Sequence, residues 1–203
     1  MNLYLCEVDE ADGRFEASLP SLPAERQKRI EQFYDRQSRI TSIAAYLLLA
    51  YGLRETFGLA RDQIRLSYTK KGKPYMDGGM AFNISHDGCL VACVVGAVPC
   101  GCDVMAVRPA KQNFIERFCS DDEKQYILLS KNKESAFTEV WTRKESLIKL
   151  RAGSVMCRLK EIDTMCAPVY FTSGRYKEYT YTCCTEEQMD VVVIPTAAER
   201  LFD

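Results

Sequence analysis

The feature that most constrains the fold of this 203-residue chain is the order of its sequence patterns. Stretches with a helical pattern precede short strand-like stretches twice along the chain. Residues 23–35 and 37–56 carry helix-type spacing, and the apolar centre of the second predicts a helix packed against a core. Further helices are predicted at 123–130, behind a capping box that begins at Ser120, and at 134–152. This order predicts an α+β fold with one boundary near residue 100.

The predicted strands are short apolar or alternating runs bounded by turn residues. They lie at 2–8, 80–85, 89–98, 101–107, 167–172, 176–184 and 189–195. His86-Asp87-Gly88 and Pro99-Cys100 read as turns that make 80–107 an antiparallel meander, and Ser173-Gly174 reads as a third turn. Gly153 is expected to end the helix that precedes the last three strands.

Composition excludes several classes of protein. Lys and Arg total 27 against 28 Asp and Glu, and this balance argues against a nucleic-acid-binding protein. The longest apolar run, 43–51, is far shorter than the roughly 20 residues that a membrane span needs. Acidic residues stand near the start where a signal peptide would be basic and then apolar, so we expect a cytoplasmic protein.

Ten cysteines are the most conspicuous count, but they do not predict a metal or redox site. They show no C-x-x-C spacing, and one histidine cannot complete a Cys2His2 zinc site. In a reducing compartment a free cysteine acts as a small apolar residue, so we interpret most of them as packing.

Four stretches are richer in chemistry than their structural roles require. The segment 82–88 holds Ser85 and His86, the only histidine, beside a tight turn that suits an anionic ligand; a structural or exposed histidine is the alternative. Asp103 lies among apolar neighbours on a predicted strand, where a carboxylate must be paired or bound to a metal; a strand-end carboxylate in solvent or in a salt bridge is the alternative.

The third stretch, 141–150, places Glu145 and Lys149 four residues apart on one helical face with Trp141, the only tryptophan. An ordinary surface ion pair is the alternative, but the shared stripe with Trp141 favours a carboxylate near the interior.

The fourth stretch is basic: Arg26, Arg29 and Arg39 on the early helices, and Lys71 and Lys73 in a proline-stiffened loop. Solvated helix faces explain many such charges, whereas cations gathered around one histidine would neutralise phosphates. Together with the hard oxygen ligands Asp103 and Glu145, which suit Mg²⁺, the pattern favours phosphoryl-type transfer.

These motifs, in this order, resemble the 4′-phosphopantetheinyl transferases of the Sfp type. The matching pieces are K-G-K-P-Y (71–75), F-N-I-S-H-D-G (82–88), G-C-D-V (101–104) and W-T-R-K-E-S-L-I-K (141–149), with F-Y-D-R-Q-S-R (33–39) before them. The resemblance covers about residues 26 to 153.

The resemblance implies transfer of the 4′-phosphopantetheine arm of coenzyme A to a serine of a carrier protein, with Mg²⁺, releasing 3′,5′-ADP. It also implies a pseudo-dimer of two similar α+β halves, 1–100 and 101–203, with antiparallel sheets and coenzyme A in the cleft between them. Such a fold favours a monomer.

The resemblance assigns the site residues by position. Asp103 and Glu145 match the metal-binding acids, Glu145 also matches the general base, and Lys149 matches the lysine that assists the leaving group. The coenzyme A contacts match Arg39, Lys73, Ser85 and His86 and, more loosely, Arg26 and Arg29.

One position departs from the family pattern, since Met105 stands where a further carboxylate is common. A thioether is too soft for Mg²⁺, so a water or Asp87 is expected to complete the coordination. Met105 keeps a non-catalytic coenzyme-A-binding relative open, and a metal-dependent phosphohydrolase is a third possibility. The carrier, whether for fatty acid, polyketide or nonribosomal peptide, is not specified by the sequence.

Overall fold

A computed structural model describes residues 1–70, 72–151 and 159–203 of the chain. It confirms the α+β class: the described residues form six α-helices and nine strands, mostly antiparallel, with short 3₁₀ turns between some of them. The helices are α1 (Arg14–Ser18), α2 (Ala24–Glu31), α3 (Arg36–Phe57), α4 (Gln112–Phe118), α5 (Asp121–Leu129) and α6 (Lys133–Leu150). The strands are β1 (Asn2–Glu7), β2 (Ser67–Tyr68), β3 (Pro74–Tyr75), β4 (Ala81–Asp87), β5 (Leu90–Gly96), β6 (Cys100–Ala106), β7 (Tyr170–Tyr176), β8 (Tyr179–Thr185) and β9 (Val192–Pro195).

Two sheets form the centre of the molecule. The first has the strand order β4-β5-β1-β9 and the second has the order β6-β8-β7, with β2 and β3 as a separate short pair. All neighbours are antiparallel except β1 and β9, which run parallel. Through β9, the end of the chain therefore joins the sheet that the beginning of the chain builds.

Side-chain alternation explains why the sheets stack. On β1, Tyr4 and Cys6 face the core that α3 covers, whereas Leu3 and Leu5 face apolar residues of β6 and β8. Because strand residues point alternately to opposite faces, one strand serves both cores. On the far side of the second sheet α6 packs over Cys184. The layers therefore run α3, first sheet, second sheet, α6.

A ladder of side chains joins β4 in the first sheet to β6 in the second. Asn83 Oδ1 accepts from the Cys102 N–H at 2.9 Å, and Asp87 Oδ2 accepts from the Ala106 N–H at 2.7 Å. Between them Ser85 contacts β6 in the same way. The spacing of two residues matches the pleat of a strand, so the polar positions of the 82–88 motif hold the two sheets in register.

The predicted meander is wrong for its third strand. Strands β4 and β5 form the expected antiparallel hairpin, but β6 leaves that sheet after Pro99 and pairs with β8. In its new sheet β6 packs closely against α6, since a side chain at Gly101 would overlap the α6 backbone at Ser146. The absence of a Cβ lets the helix lie directly on β6.

Two predicted turns are misplaced. His86 and Asp87 belong to β4 and pair with β5, and the turn begins at Gly88, which has a φ of 54°. Ser173 and Gly174 lie inside β7, and the chain instead reverses after Tyr176. The pair of a glycine and a polar residue predicted a turn at Ser173-Gly174. In the structure Gly174 instead provides room for the Tyr181 ring on the paired strand.

The predicted helices are present with shifted ends. The first is shorter than expected, ending at Glu31, and Asp35 then caps α3 by accepting from the Ser38 N–H at 2.7 Å. The capping box at Ser120 is confirmed, and α5 follows it directly. Gly153, expected to end the helix before it, lies outside the described residues.

The interpretation of the cysteines as packing is largely confirmed. Seven of them are buried and belong to the apolar cores: Cys6, Cys93, Cys100, Cys102, Cys119, Cys183 and Cys184. Cys89 is half-buried and Cys166 is exposed, so the latter departs from the interpretation, while Cys157 lies outside the described residues. No helix in the described part of the chain is long and apolar enough to cross a membrane.

Candidate active site

Asp103, Lys149 and Ser85 meet where the two sheets and α6 converge. Lys149 Nζ donates to Asp103 Oδ1 at 2.7 Å and to Ser85 Oγ at 2.8 Å. The Ser85 hydroxyl in turn donates to the same Asp103 oxygen at 2.7 Å. Three sequence motifs far apart in the chain therefore supply one connected polar cluster.

Asp103 lies almost out of solvent at 7% exposure, and burial raises the pKa of its carboxyl. The charge and hydrogen bond of Lys149, and the Ser85 hydroxyl, oppose that rise. Asp103 is therefore paired in a salt bridge, which was the structural alternative to a metal site, and it is not solvated; metal binding by this acid stays a prediction. The ion pair with Asp103 also shows that Lys149 faces β6, whereas the sequence spacing alone predicted that Lys149 lies beside Glu145.

Glu145 lies one turn before Lys149 on α6 and is half-buried. Within the described part of the chain its carboxylate has no hydrogen bond or ion pair. Partial burial, followed by the nearby charge of Asp103, raises its pKa. A carboxylate with spare acceptor sites and a raised pKa can take up a proton or bind a cation.

Two further predicted residues adjoin this cluster. Lys73 donates through Nζ to the main-chain carbonyl of Lys149, which fixes the basic loop against the end of α6. His86 lies at the surface end of β4, where loss of hydration and the positive charges of Lys149 and Arg26 lower its pKa. Lys71, from the same loop motif as Lys73, lies outside the described residues.

The early arginines form a neighbouring group. The Arg29 guanidinium lies 3.8 Å from the centre of the Tyr68 ring, and Arg26 donates to the Ser42 carbonyl and hydroxyl at 3.1 Å each. Arg26 is close enough to act on the charge of His86. Arg39 is placed differently: its charge acts on Glu16 of α1, whose pKa it helps to lower after Arg36.

The carboxylate oxygens of Asp103 and Glu145 are the type of ligand that a hard divalent cation prefers. The charge of Asp103 raises the cost of ionising Glu145, and a cation between them would relieve that repulsion. Among the described residues, however, no group of three or more His, Cys, Asp or Glu side chains is arranged around one point. Any further ligands would therefore have to be water or substrate oxygens.

Asp87 is engaged elsewhere in this structure. Its Oδ2 accepts from the Ala106 N–H and forms an ion pair with Arg108. Met105 follows Val104 on β6 and lies half-buried opposite Thr180 of β8.

Sequence reasoning missed some of the residues that position this site. Tyr68 supports Arg29, and Asn83 fixes β6 beside Asp103. Asn83 stands within a motif that was recognised, and its alternation with Ser85 and Asp87 was an available signal. No signal in the sequence pointed to Tyr68, because its contact with Arg29 joins segments 39 residues apart.

Comparisons with known families agree across nearly the whole chain. Residues 10–98 match the family described as 4′-phosphopantetheinyl transferase, N-terminal. Residues 99–191 match the 4′-phosphopantetheinyl transferase superfamily. The two matched stretches meet between β5 and β6, where the chain passes from the first sheet to the second.

Individual relatives carry the same description. A 4′-phosphopantetheinyl transferase of Bacillus subtilis is 26% identical over 73% of this chain and 69% of its own length. A second from that organism, named ffp, is 31% identical over 62% of this chain and 58% of its own length, so the match spans less than two thirds of it. The transferase HetI of Nostoc sp. is 25% identical over 83% of this chain and 75% of its own length.

Proposed function

Because this chain belongs to the 4′-phosphopantetheinyl transferases of the Sfp type, we propose that it transfers the phosphopantetheine arm of coenzyme A to a carrier-protein serine. The products are the modified carrier and 3′,5′-ADP. The observation that carries the proposal is the Asp103–Lys149–Ser85 cluster with Glu145 beside it, since it places a fixed cation next to a carboxylate that no described residue engages.

Glu145 is the proposed base for the carrier serine. A hydroxyl must lose its proton as it attacks a phosphate, and a carboxylate within reach, directly or through a water, accepts it. The raised pKa of Glu145 supports this role, because a stronger base takes the proton more readily. No other described side chain holds this carboxylate in a competing hydrogen bond.

Lys149 is the proposed partner of the leaving group. Its ammonium is held by Asp103 and Ser85 before any substrate arrives, so it needs no reorganisation to meet developing negative charge. Lys73, Ser85 and His86 would bind the phosphates from the first half of the chain, with Arg26, Arg29 and Arg39 as further basic contacts.

Mg²⁺ is the proposed metal, and Asp103 and Glu145 would hold it. When bound, it would spread the charge that develops on the pyrophosphate. The Asp87 contacts with Ala106 and Arg108 support water as the completing ligand. The alternative is that Asp87 itself completes the coordination. In that case Asp87→Ala should weaken the apparent affinity for Mg²⁺, whereas an unchanged affinity removes Asp87 from the site.

The layered fold supports a pseudo-dimer of halves 1–100 and 101–203. Each half contributes one long helix and most of one sheet, with β9 of the second half joining the first sheet, and the sheets pack back to back. Coenzyme A would lie in the cleft between the halves, near the ladder that joins β4 to β6. We further propose that the protein is a cytoplasmic monomer.

The test is incubation with an apo carrier protein, coenzyme A and Mg²⁺, followed by mass spectrometry of the carrier. A gain of one phosphopantetheine group supports the transferase. Binding of coenzyme A without that gain, for acyl, polyketide and peptidyl carriers, favours a non-catalytic relative, which Met105 keeps under consideration. Hydrolysis of coenzyme A without a carrier favours a phosphohydrolase.

A further inference from the structure

A stripe of small polar residues on α6 faces the second sheet. Its members are Thr138, Thr142 and Ser146, which are four residues apart and each 0% exposed. Helix residues at this spacing share one face, and Gly101 of β6 lies directly against that face at Ser146. Each of the three hydroxyls donates to a main-chain carbonyl in the preceding turn of α6. Such bonds satisfy the hydroxyl protons within the helix itself.

Thr142 differs from the other two residues because its hydroxyl also reaches a strand. Its Oγ1 lies 2.8 Å from Thr182 Oγ1 on β8, which in turn lies 2.9 Å from Ser173 Oγ on β7. Since Thr142 gives its one proton to the Glu139 carbonyl, Thr182 must donate to Thr142 and Ser173 to Thr182. A chain of three hydroxyls therefore joins α6 to two strands of the second sheet.

This chain of hydroxyls lies directly beside the proposed active site. Thr182 is the cross-strand neighbour of Asp103, so α6 is bound to the sheet at two adjacent points. Thr142 meets Thr182 at one point, and Lys149 meets Asp103 at the other. Glu145 lies between the two points on α6, three residues after Thr142 and four before Lys149.

Two points of attachment restrict a helix more than one does. A helix held at a single polar contact can pivot about that contact, whereas a second contact fixes its rotation and its position along the sheet. Thr142 and Thr182 are both fully buried, so no water is at hand to replace their hydrogen bond. Breaking it would leave a buried hydroxyl short of a partner, which is costly.

We propose that Thr142 is a positioning residue for Glu145 and acts through Thr182. Its hydroxyl bonds only to the Glu139 carbonyl and to Thr182 among the described residues, so it does not itself take part in the reaction. It holds α6 so that the Glu145 carboxylate can meet the carrier serine. A displacement of about 1 Å in a reacting group can cost about 100-fold in rate. This inference rests on the proposed transfer, with Glu145 as its base.

The test measures initial rates of carrier modification over a range of coenzyme A concentrations. Thr142→Val keeps the branched shape of the side chain and removes its hydroxyl. We expect kcat to fall about tenfold or more, because Glu145 is no longer held in place. The KM for coenzyme A should stay close to wild type, since its phosphates are proposed to bind residues of the first half. Thr142→Ser, which retains the hydroxyl, should restore most of kcat.

Two further variants make the test specific. Thr138→Val is the matched control, because it removes an equally buried hydroxyl of α6 that bonds only within the helix. It should leave kcat close to wild type. Thr182→Val removes the same contact from the strand side and should lower kcat in the same way as Thr142→Val. The double variant should lose little more than either single one, because both changes break one interaction.

Four results with an active wild type would overturn the positioning role alone: an unchanged kcat in Thr142→Val, an equal loss in Thr138→Val, a change confined to KM, or no recovery in Thr142→Ser. A wild type that modifies no carrier removes the proposed transfer, and this role with it. Thermal unfolding checks that each variant folds, and Thr182→Val replaces Thr142→Val should that variant unfold.

Discussion

Lys149 and Asp103 form an ion pair between α6 and β6, with 2.7 Å between Nζ and Oδ1. Ser85, from the other sheet, hydrogen-bonds to both partners. The ammonium is therefore fixed from two sides before substrate binds. This pairing, rather than a contact between Lys149 and Glu145, leaves the Glu145 carboxylate available.

Replacing Lys149 tests its role toward the leaving group. Lys149→Met should lower the rate of carrier modification by about 100-fold or more, because a preorganised donor to developing charge is lost. The measurement is the initial rate of the carrier's mass gain. Lys177→Met, which removes an exposed lysine paired with Glu7, is the control and should stay close to wild type. A Lys149→Met rate close to wild type would refute the role.

His86 gives a titration that can be read without interference, because it is the only histidine in the chain. Its pKa should lie below the ordinary 6.5, since partial loss of hydration and then the charge of Lys149 disfavour the charged ring. NMR of the imidazole protons measures this directly. Lys149→Met should raise the value and Lys177→Met should not. A wild-type pKa at or above 6.5 would contradict the placement of His86.

The same shift fixes the sign of a stability effect. Folding lowers the pKa of His86, so its contribution to stability is present above pH 6.5 and is lost as the pH falls through the folded value. Relative to His86→Gln, the wild type should therefore lose stability on acidification below pH 6.5.

The fold class was predictable because grouped helix and strand patterns are local signals. The α3 segment was recognised from its apolar centre, and α5 from its capping box at Ser120. The course of β6 was not predictable, since nothing local distinguishes a third meander strand from one that crosses to another sheet. The pairing of β6 with β8 joins residues about 80 positions apart, and the close contact of Gly101 with α6 is likewise long-range.

A buried ion pair stabilises the second half apart from the active site. Lys144 lies next to Glu145 in sequence but is 1% exposed, and its Nζ lies 2.7 Å from Glu123 Oε2. Lys144→Met should cost about 3–5 kcal/mol in the free energy of unfolding, because it leaves the Glu123 charge unpaired. Chemical denaturation measures the change.

Two further variants make this prediction specific. Lys124→Met breaks only surface pairs, with Asp121 and Glu116, and should cost much less. Adding Glu123→Gln to Lys144→Met should recover part of the stability, since the buried charge is then removed. A Lys144→Met protein as stable as wild type would show that the pair contributes nothing.

The cysteines should differ sharply in reactivity. Burial raises the pKa of Cys102 to about 12, and Cys93 and Cys183 are also buried with raised pKa values. Cys166 is exposed. Under native conditions iodoacetamide should label Cys166 well before the buried three, as read by peptide mass spectrometry. Rapid labelling of Cys102 would contradict its place in the core, and denatured protein should label at all four.

The acids and the lysine of the site were predictable from motif chemistry, but their partners were not. Asp103 was expected to need a partner. Ser85 was expected to contact a phosphate, and that expectation did not indicate that the Ser85 hydroxyl bridges Asp103 and Lys149. Such bridges depend on how the two sheets stack. The electrostatic influence of Arg39 on Glu16 likewise follows from the packing of α1 against α3, which no sequence pattern signalled.

The most direct test of the account is the mass of an apo carrier protein after reaction with coenzyme A and Mg²⁺, using wild type and Glu145→Gln. The wild type should add one phosphopantetheine group, whereas Glu145→Gln should bind coenzyme A yet fail to modify the carrier. Glu139→Gln, on the same helix but paired with Arg143, serves as the matched control. Modification by Glu145→Gln at the wild-type rate would contradict the central claim.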